Sequence, residues 1–156
     1  MSTENKRKMK LAEALLLRSD LLKKIEHIQN RIRPVLIVSD DKQPQEDPIK
    51  LLAQLRDAIQ ELETLVIRIN KTNNETKIKE EGSLMEALAK RDSLKMLAEK
   101  LRNIRYAAQI DNSGDVNLKA TIDIKKLQTE MDQTGRDFRN IDSKIQELNW
   151  LTDLKD

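Results

Sequence analysis

The sequence has few of the residues on which enzyme and metal chemistry depend. It contains no cysteine, which excludes disulfides, thiolate nucleophiles and cysteine-ligated zinc. A single histidine, His27, cannot supply the two Glu-x-x-His pairs of a helical di-iron site. Only three glycines occur, and none belongs to a phosphate-binding loop. We therefore expect no catalytic residue, no metal and no cofactor, and we interpret His27 as a helix-surface residue.

Aromatic residues and long apolar runs are also scarce. Tyr106, Phe138 and Trp150 are the only rings, and the 29 Lys and Arg residues are interspersed with 27 Asp and Glu. Mixed charge of this kind is typical of a solvated helical surface and not of a nucleic-acid interface. No stretch approaches the roughly 20 apolar residues of a membrane span, and no signal peptide is recognisable. We predict a cytoplasmic protein with no nucleic-acid partner and no stable membrane insertion.

The abundant residues favour long helices. Charged residues make up 36% of the chain, and three prolines interrupt it. We predict one domain, residues 1–156, with a basic tail at 1–8 and loops or short strands at 34–47 and 109–122. The fold class is all-α, an elongated antiparallel bundle or coiled coil of about four helices. Such a bundle leaves apolar surface for a second subunit, so we expect a homo-oligomer.

Four apolar stripes mark these helices, with steps of three and four residues except for one step of seven in the third. The first stripe, in a helix from about residue 6 to 32, is Ala14, Leu17, Leu21, Ile25, Ile28 and Ile32. The second is Leu51, Leu55, Ala58, Leu62, Leu65 and Ile69, and the third is Leu84, Ala87, Leu94, Leu97, Leu101, Ile104 and Ala108. The fourth is Ile124, Leu127, Met131, Thr134, Phe138, Ile141, Ile145 and Leu148.

Local signals predict where the helices begin and end. Pro34 ends the first helix, and Asp47-Pro48 begins the second with an N-cap and a proline at the first helical position. Ser83 and Glu86 form a capping box before the third helix. The apolar run at 35–38 either covers an end of the bundle or pairs as a strand. A turn at 111–115, followed by alternating apolar residues, predicts a short hairpin between the third and fourth helices.

One segment occurs twice. Leu11-Ala-Glu-Ala-Leu-Leu-Leu-Arg18 aligns without a gap on Leu84-Met-Glu-Ala-Leu-Ala-Lys-Arg91. The alignment places Arg18 and Arg91 beside the apolar stripes of two helices, where an arginine needs a partner or a ligand. In the first interpretation they form ion pairs between helices, Arg18 with Asp92 and Arg91 with Asp20, which fix the helix register.

In the second interpretation the same arginines bind an anion. The stripe of the second helix turns polar at its end, where Asn70, Thr72 and Asn73 lie. Guanidinium groups bind phosphate or carboxylate through two parallel hydrogen bonds, and amide and hydroxyl groups complete such a site. Arg18, Arg91, Asn70, Thr72 and Asn73 are therefore the candidate residues for a small anionic ligand such as a nucleotide.

Four segments in order carry a resemblance to a known family. They are Lys10-Leu-Ala-Glu-Ala-Leu15 with Arg18, Arg68-Ile-Asn-Lys-Thr-Asn73, Leu84-Met-Glu-Ala-Leu88 with Arg91-Asp92, and Ile145-Gln-Glu-Leu-Asn-Trp150. Together they resemble the septicolysin-like family of small bacterial all-helical proteins, whose role is poorly defined. The resemblance implies an all-helical protein of this length, and the family name suggests a cytolysin.

Three functional hypotheses follow. The first is a non-enzymatic homo-oligomer that acts by binding, with its Arg/Asp pairs setting the register. The second is a protein that binds or sequesters a small anion, in a pocket that two subunits could share. The third is a membrane-active toxin whose helical bundle opens at a bilayer.

Overall fold

The computed structural model describes residues 7–109 and 119–156, and within them the chain is predominantly helical. The helices are α1 (Leu11–Ile32), α2 (Pro48–Glu75), α3 (Leu84–Ala107) and α4 (Ile124–Leu151). A 3-10 turn, Arg33–Val35, follows α1, and a two-stranded antiparallel sheet consists of β1 (Lys77–Ile78) and β2 (Gly82–Ser83). The prediction of an all-α fold is confirmed.

The chain that we predicted as one domain divides into two compact units. The first unit contains α1, α2 and the residues from Asn149 onward, and the second runs from Thr76 to Leu148. We call α1 with α2 hairpin 1, and α3 with α4 hairpin 2.

In hairpin 1 the two helices run antiparallel around a small core. Its buried residues are Ile28, Ile32, Val35, Leu51 and Ala58, and Ile25, Leu52 and Leu55 pack against them. Lys24 Nζ lies 3.8 Å from Glu61 Oε2, and Arg31 Nε donates to Glu46 Oε2 at 3.1 Å. The end of α1 therefore lies beside the start of α2.

The predicted apolar stripes of α1, α2 and α4 are confirmed, because every member is buried or half-buried. In α3 the prediction is wrong at two positions, since Leu97 is 41% and Ile104 is 46% exposed. The inward face of α3 instead continues with regular steps of three and four, as Leu84, Ala87, Arg91, Leu94, Ala98, Leu101, Arg105 and Ala108. Two of the eight positions on this seam are arginines, so the apolar pattern alone does not reveal it.

Both copies of the repeated segment begin a helix. The carboxylate of Glu13 accepts from the Lys10 backbone N–H at 2.7 Å at the start of α1. At the start of α3, Glu86 accepts from the Ser83 N–H at 2.6 Å, and Ser83 Oγ accepts from the Glu86 N–H at 3.2 Å. This confirms the predicted capping box, whose backbone hydrogen bond holds the pKa of Glu86 below its ordinary value.

The two longer helices also begin alike, each with an aspartate as N-cap. Asp47 Oδ1 accepts from the N–H groups of Ile49 and Lys50 at 2.9 and 3.4 Å, which confirms the predicted start of α2. Asp123 Oδ1 accepts from the corresponding N–H groups at the start of α4, at 3.0 and 3.1 Å.

The observed strands lie between α2 and α3, where Lys77 pairs with Ser83 and Ile78 with Gly82. Gly82 has φ +84°, and a Cβ there would collide with the Glu86 carboxylate, so only glycine closes this turn without strain. The hairpin predicted between the third and fourth helices falls mostly on residues 110–118, outside the described residues. Residues 119–123 form no strand.

The apolar run at 35–38 does not form a strand, so that alternative is wrong. Val35 closes the 3-10 turn and is buried in the core of hairpin 1. The three residues after it are exposed, and Ile37 reaches 89% exposure.

A final extended segment, residues 152–156, packs on the first unit, and we call it the closing segment. The Leu11 N–H donates to Thr152 O at 2.9 Å, and the Leu154 N–H donates to Met9 O at 2.8 Å. Lys10 Nζ donates to Asp153 Oδ1 at 2.6 Å and holds the pKa of that carboxyl below its ordinary value. The start of α1 is thereby fixed to a segment far away in sequence.

Candidate functional site

Arg18, the first predicted site residue, is exposed on α1. Because its guanidinium group is hydrated, it needs neither an ion-pair partner nor a ligand. An ion-pair or ligand role for Arg18 stays a prediction.

Arg91 is half-buried on the seam of α3, and carboxylates engage it. Its Nε and Nη2 donate to Asp92 Oδ1 at 3.0 and 2.8 Å, and its Nη1 lies 3.7 Å from Asp142 Oδ1 on α4. Neighbouring side chains on a helix point in different directions, and this pair meets because the long arginine side chain curls back. Pairing of Arg18 with Asp92 and of Arg91 with Asp20 would join the two units and stays a prediction.

The polar end of α2 has a structural role at Thr72. This residue is fully buried, and its hydroxyl donates to Arg68 O at 2.7 Å and accepts from the Lys155 N–H at 3.0 Å. The hydroxyl thus holds the closing segment against α2. Asn70 is exposed and Asn73 is half-buried on the same end of the helix. A ligand role for the two asparagines stays a prediction.

Hairpin 2 contains a groove between α3 and α4 that the sequence analysis did not predict. Its volume is about 380 Å³. The lining residues are Lys95, Ala98, Glu99 and Arg102 from α3, and Gly135, Phe138 and Arg139 from α4. Successive turns of two antiparallel helices therefore supply both walls.

Three cations line this groove without a counter-ion. Among the described residues, no carboxylate oxygen lies within 4.0 Å of Lys95, Arg102 or Arg139. The only acidic residue of the lining, Glu99, has its carboxylate 3.7 Å from Lys100 Nζ. Elsewhere in hairpin 2, cations such as Lys90 and Arg91 have carboxylate partners within that distance. All three cations are exposed to solvent, so they differ from Arg18 in lining one groove together and not in burial.

Small and apolar residues give the groove its depth. Phe138 is half-buried. Ala98 lies in the middle of the α3 seam, between the larger residues Leu94 and Leu101. A Cβ on Gly135 would lie 3.4 Å from Arg139 Nη1, so this glycine leaves room beside the guanidinium group. A cavity with an apolar wall and a few charged groups is the usual form of a small-molecule site.

Arg105 continues the same line of side chains one turn beyond Arg102. Its Nε is buried and has no hydrogen-bond partner among the described residues. Arg105 lies outside the lining of the groove, so its unpaired donor does not add to the site.

The sequence contained a weak signal for this groove. Lys95 and Arg102 are seven residues apart, which places them on one face of a helix, and Arg139 follows the only phenylalanine. In helices with so many charged residues, such spacings occur often, so nothing singled them out. Within the described residues, no cluster of carboxylates and histidine is suited to holding a metal ion. No helix of the described residues is long and apolar enough to cross a membrane.

Comparisons with known proteins give a family and one similar structure. Residues 18–154 match the model of a family of unknown function, DUF6847. The chain is also similar to a solved structure described as a functionally unknown conserved protein from Corynebacterium diphtheriae. The two chains are 29% identical, the match covers 96% of this chain and 100% of the other, and the TM-score is 0.87. No curated protein matches the chain.

Proposed function

The chain belongs to DUF6847, a family of unknown function, and we propose from the geometry of the groove that it is a non-enzymatic protein that binds a small organic anion. The observation that carries this proposal is the set of three cations, Lys95, Arg102 and Arg139, that line one groove with no carboxylate oxygen of the described residues within 4.0 Å. This is the second functional hypothesis, the binding of a small anion, now assigned to the residues of the groove.

Charge and shape together define the ligand. Two guanidinium groups and one ammonium group favour phosphate or carboxylate, because guanidinium nitrogens bind two oxygens side by side. The half-buried ring of Phe138 and the methyl group of Ala98 favour an apolar portion on the same molecule. A fully hydrated inorganic ion would use only the charged part of the groove.

The lining supports binding rather than catalysis. Its seven residues include no hydroxyl, thiol or imidazole group, and its nucleophilic groups, the Lys95 amine and the Glu99 carboxylate, are exposed to water. General acid–base catalysis commonly uses a pair of groups with different pKa values, whereas Glu99 is the only carboxyl in this lining and lies beside Lys100.

Calorimetric titration with phenyl phosphate tests the proposal on the wild-type protein. We expect saturable binding that weakens as salt is added, because exposed charges are screened. A ligand at a hundred times its dissociation constant should also stabilise the fold by about 2.7 kcal/mol, which raises the melting temperature by several degrees.

The matched variants remove charge inside and outside the groove. Arg102→Gln with Arg139→Gln should abolish binding, while Arg56→Gln, at an exposed position on α2, should leave it unchanged. Equal binding by the double variant and the wild type would contradict the proposal, as would an absence of binding by the wild type.

Self-association is a second candidate function, favoured by one observation in hairpin 1. Leu36, Ile37 and Ile49 are 58%, 89% and 70% exposed near the connection between its helices. Exposed apolar residues grouped in this way are typical of an interaction surface. Sedimentation equilibrium should show a dimer or larger oligomer that Ile37→Lys with Ile49→Lys dissociates, whereas Ile67→Lys, on the middle of α2, should leave the oligomer intact. A wild-type monomer would contradict this candidate.

The septicolysin-like resemblance and the cytoplasmic location stay predictions. Leakage of dye from anionic lipid vesicles tests the membrane-active hypothesis directly. Full dye retention at micromolar protein would contradict it.

A further inference from the structure

The two hairpins follow the same plan residue by residue. The short helices α1 and α3 begin at the equivalent residues Leu11 and Leu84, which lie 73 positions apart in the chain. The seam of α3 described above corresponds at that offset to Leu11, Ala14, Arg18, Leu21, Ile25, Ile28, Ile32 and Val35 of hairpin 1. All of these except Arg18 are buried or half-buried.

The long helices are equivalent as well. Both α2 and α4 have 28 residues, and both follow an aspartate N-cap. At an offset of 76 positions, the seams pair Leu51 with Leu127, Leu65 with Ile141 and Ile69 with Ile145, all buried.

The segments after the long helices complete the correspondence. Thr76 O accepts from the Leu84 N–H at 2.8 Å, and Thr152 O accepts from the Leu11 N–H at 2.9 Å. In the sheet, Lys77 pairs with Ser83, and in the closing segment Asp153 forms the equivalent bridge with Lys10. Helix starts, seams and strand pairings therefore recur at offsets of 73 and 76 positions, as two copies of one structural plan.

At the level of the groove, the side chains of the two hairpins differ in size. At the positions of Ala98 and Gly135, hairpin 1 has Ile25 and Ile59. Ile25 packs against the core of its hairpin. Hairpin 2 therefore lacks about seven side-chain carbon atoms at this level, the kind of deletion that leaves a cavity when neighbours do not collapse into it.

The copies also differ in charge there. Lys95, Arg102 and Arg139 of hairpin 2 correspond to Leu22, Gln29 and Glu63 of hairpin 1. At this level, hairpin 2 therefore has both smaller side chains and more positive charge than hairpin 1.

We infer that Ala98 and Gly135 determine ligand specificity by admitting an apolar group of about the size of a benzene ring, next to the cations that hold its phosphate or carboxylate. This inference rests on the proposed function and narrows its ligand class to aryl or short alkyl phosphates and carboxylates. The ring takes the place of the Ile25 and Ile59 side chains of hairpin 1, of which Ile25 packs against the core and Ile59 is 49% exposed, and it contacts Phe138.

The test restores the hairpin 1 residues with Ala98→Ile and Gly135→Ile in one variant. Phenyl phosphate and inorganic phosphate are each titrated into the wild type and the variant by calorimetry. The wild type should bind phenyl phosphate at least about tenfold more tightly than inorganic phosphate. The variant should bind both about equally, with inorganic phosphate within about twofold of its wild-type affinity.

Two controls separate groove filling from general damage. Ala89→Ile, at an exposed position on α3, should keep the wild-type preference. Without ligand, the groove-filled variant should have an unchanged or higher melting temperature, because the added carbons cover apolar surface; a lower melting temperature would contradict an open groove.

The outcomes distinguish this inference from the proposed function. A preference for phenyl phosphate that survives in the groove-filled variant would overturn the role of Ala98 and Gly135 and leave anion binding standing. A wild type that binds neither phosphate would overturn both.

Discussion

Hairpin 1 and hairpin 2 share a plan, yet they differ at one level of their helix pairs. Hairpin 1 has Ile25 and Ile59 there, beside Glu63, whereas hairpin 2 has Ala98 and Gly135 beside Arg139. The equivalent helix pairs therefore carry larger, acidic side chains at this level in one copy and a basic groove in the other. A few side chains therefore convert a structural layer into a candidate site while the seams on either side stay intact.

The two copies also hold their extended segments differently. In the second unit, the turn after β1 brings β2 back directly, with Gly82 in the left-handed region. In the first unit, the closing segment comes from a distant part of the chain, and side chains such as Thr72 and Lys10 secure it. Local turn geometry performs in one unit what long-range polar contacts perform in the other.

The largest expected effect tests whether the two seams are equivalent. Ile69 and Ile145 occupy matching positions and are 2% and 0% exposed. We expect Ile69→Ala and Ile145→Ala each to lower the free energy of unfolding by about 3 kcal/mol through the cavity they leave. Urea unfolding measures both. A loss below about 1 kcal/mol for either variant would contradict the equivalence.

A smaller effect is expected where the closing segment is secured. Thr72→Val removes the acceptor of the Lys155 N–H, and we expect a loss of about 2 kcal/mol because a part-buried donor is left unpaired. The control is Thr64→Val, whose hydroxyl is exposed and bonds only to Gln60 O within its own helix. Urea unfolding of both variants should separate them, and equal losses would show that Thr72 does not hold the segment.

The helix caps give the next comparison. Ser83 caps α3 through its hydroxyl, whereas Lys10 at the matching position of α1 has no hydroxyl to offer. Ser83→Ala should cost about 1 kcal/mol in thermal unfolding, since a backbone N–H loses its acceptor. Ser93→Ala, with an exposed hydroxyl on the same helix, should have almost no effect. An unchanged melting temperature for Ser83→Ala would mean that the Glu86 carboxylate alone is enough to cap α3.

The smallest expected effect is on the pH dependence of stability, through an ion pair that hairpin 2 has and hairpin 1 lacks at the matching position. Glu81 accepts from Lys90 Nζ at 2.8 Å and lies 3.6 Å from Lys144 Nζ, whereas the matching residue of hairpin 1 is Lys8. The hydrogen bond from Lys90 holds the pKa of the Glu81 carboxyl below its ordinary value. The stability that this gives is present above the pKa of the unfolded chain and is lost as the pH falls through the folded-state pKa.

Glu81→Gln should therefore cost under about 1 kcal/mol at neutral pH. Its melting temperature should decline less than that of the wild type between about pH 5 and pH 3. Glu80→Gln serves as the control, because no cation lies within 4.0 Å of Glu80 among the described residues. Identical pH profiles for the wild type and Glu81→Gln would refute the stabilising role of Glu81.

Much of the fold could be predicted because its signals are local. The stripe of α4, the Asp47 cap and the Ser83–Glu86 box each depend on residues within one or two turns. The seam of α3 was misplaced because Arg91 and Arg105 interrupt its apolar pattern. Thr72 was assigned to a ligand because its partner, Lys155, lies 83 positions away.

The sequence by itself determined the helices, their caps, the repeated segment and the lack of thiol chemistry, since propensity, periodicity and composition act over short distances. Only the tertiary structure decided which charges are paired and which are left free. Arg91 and Arg102 look alike in the sequence, but α4 brings Asp142 near the first and Gly135 and Phe138 to the groove that the second lines. A cation's partner comes from the helix packed against it, and the spacing of residues within one helix cannot specify that partner.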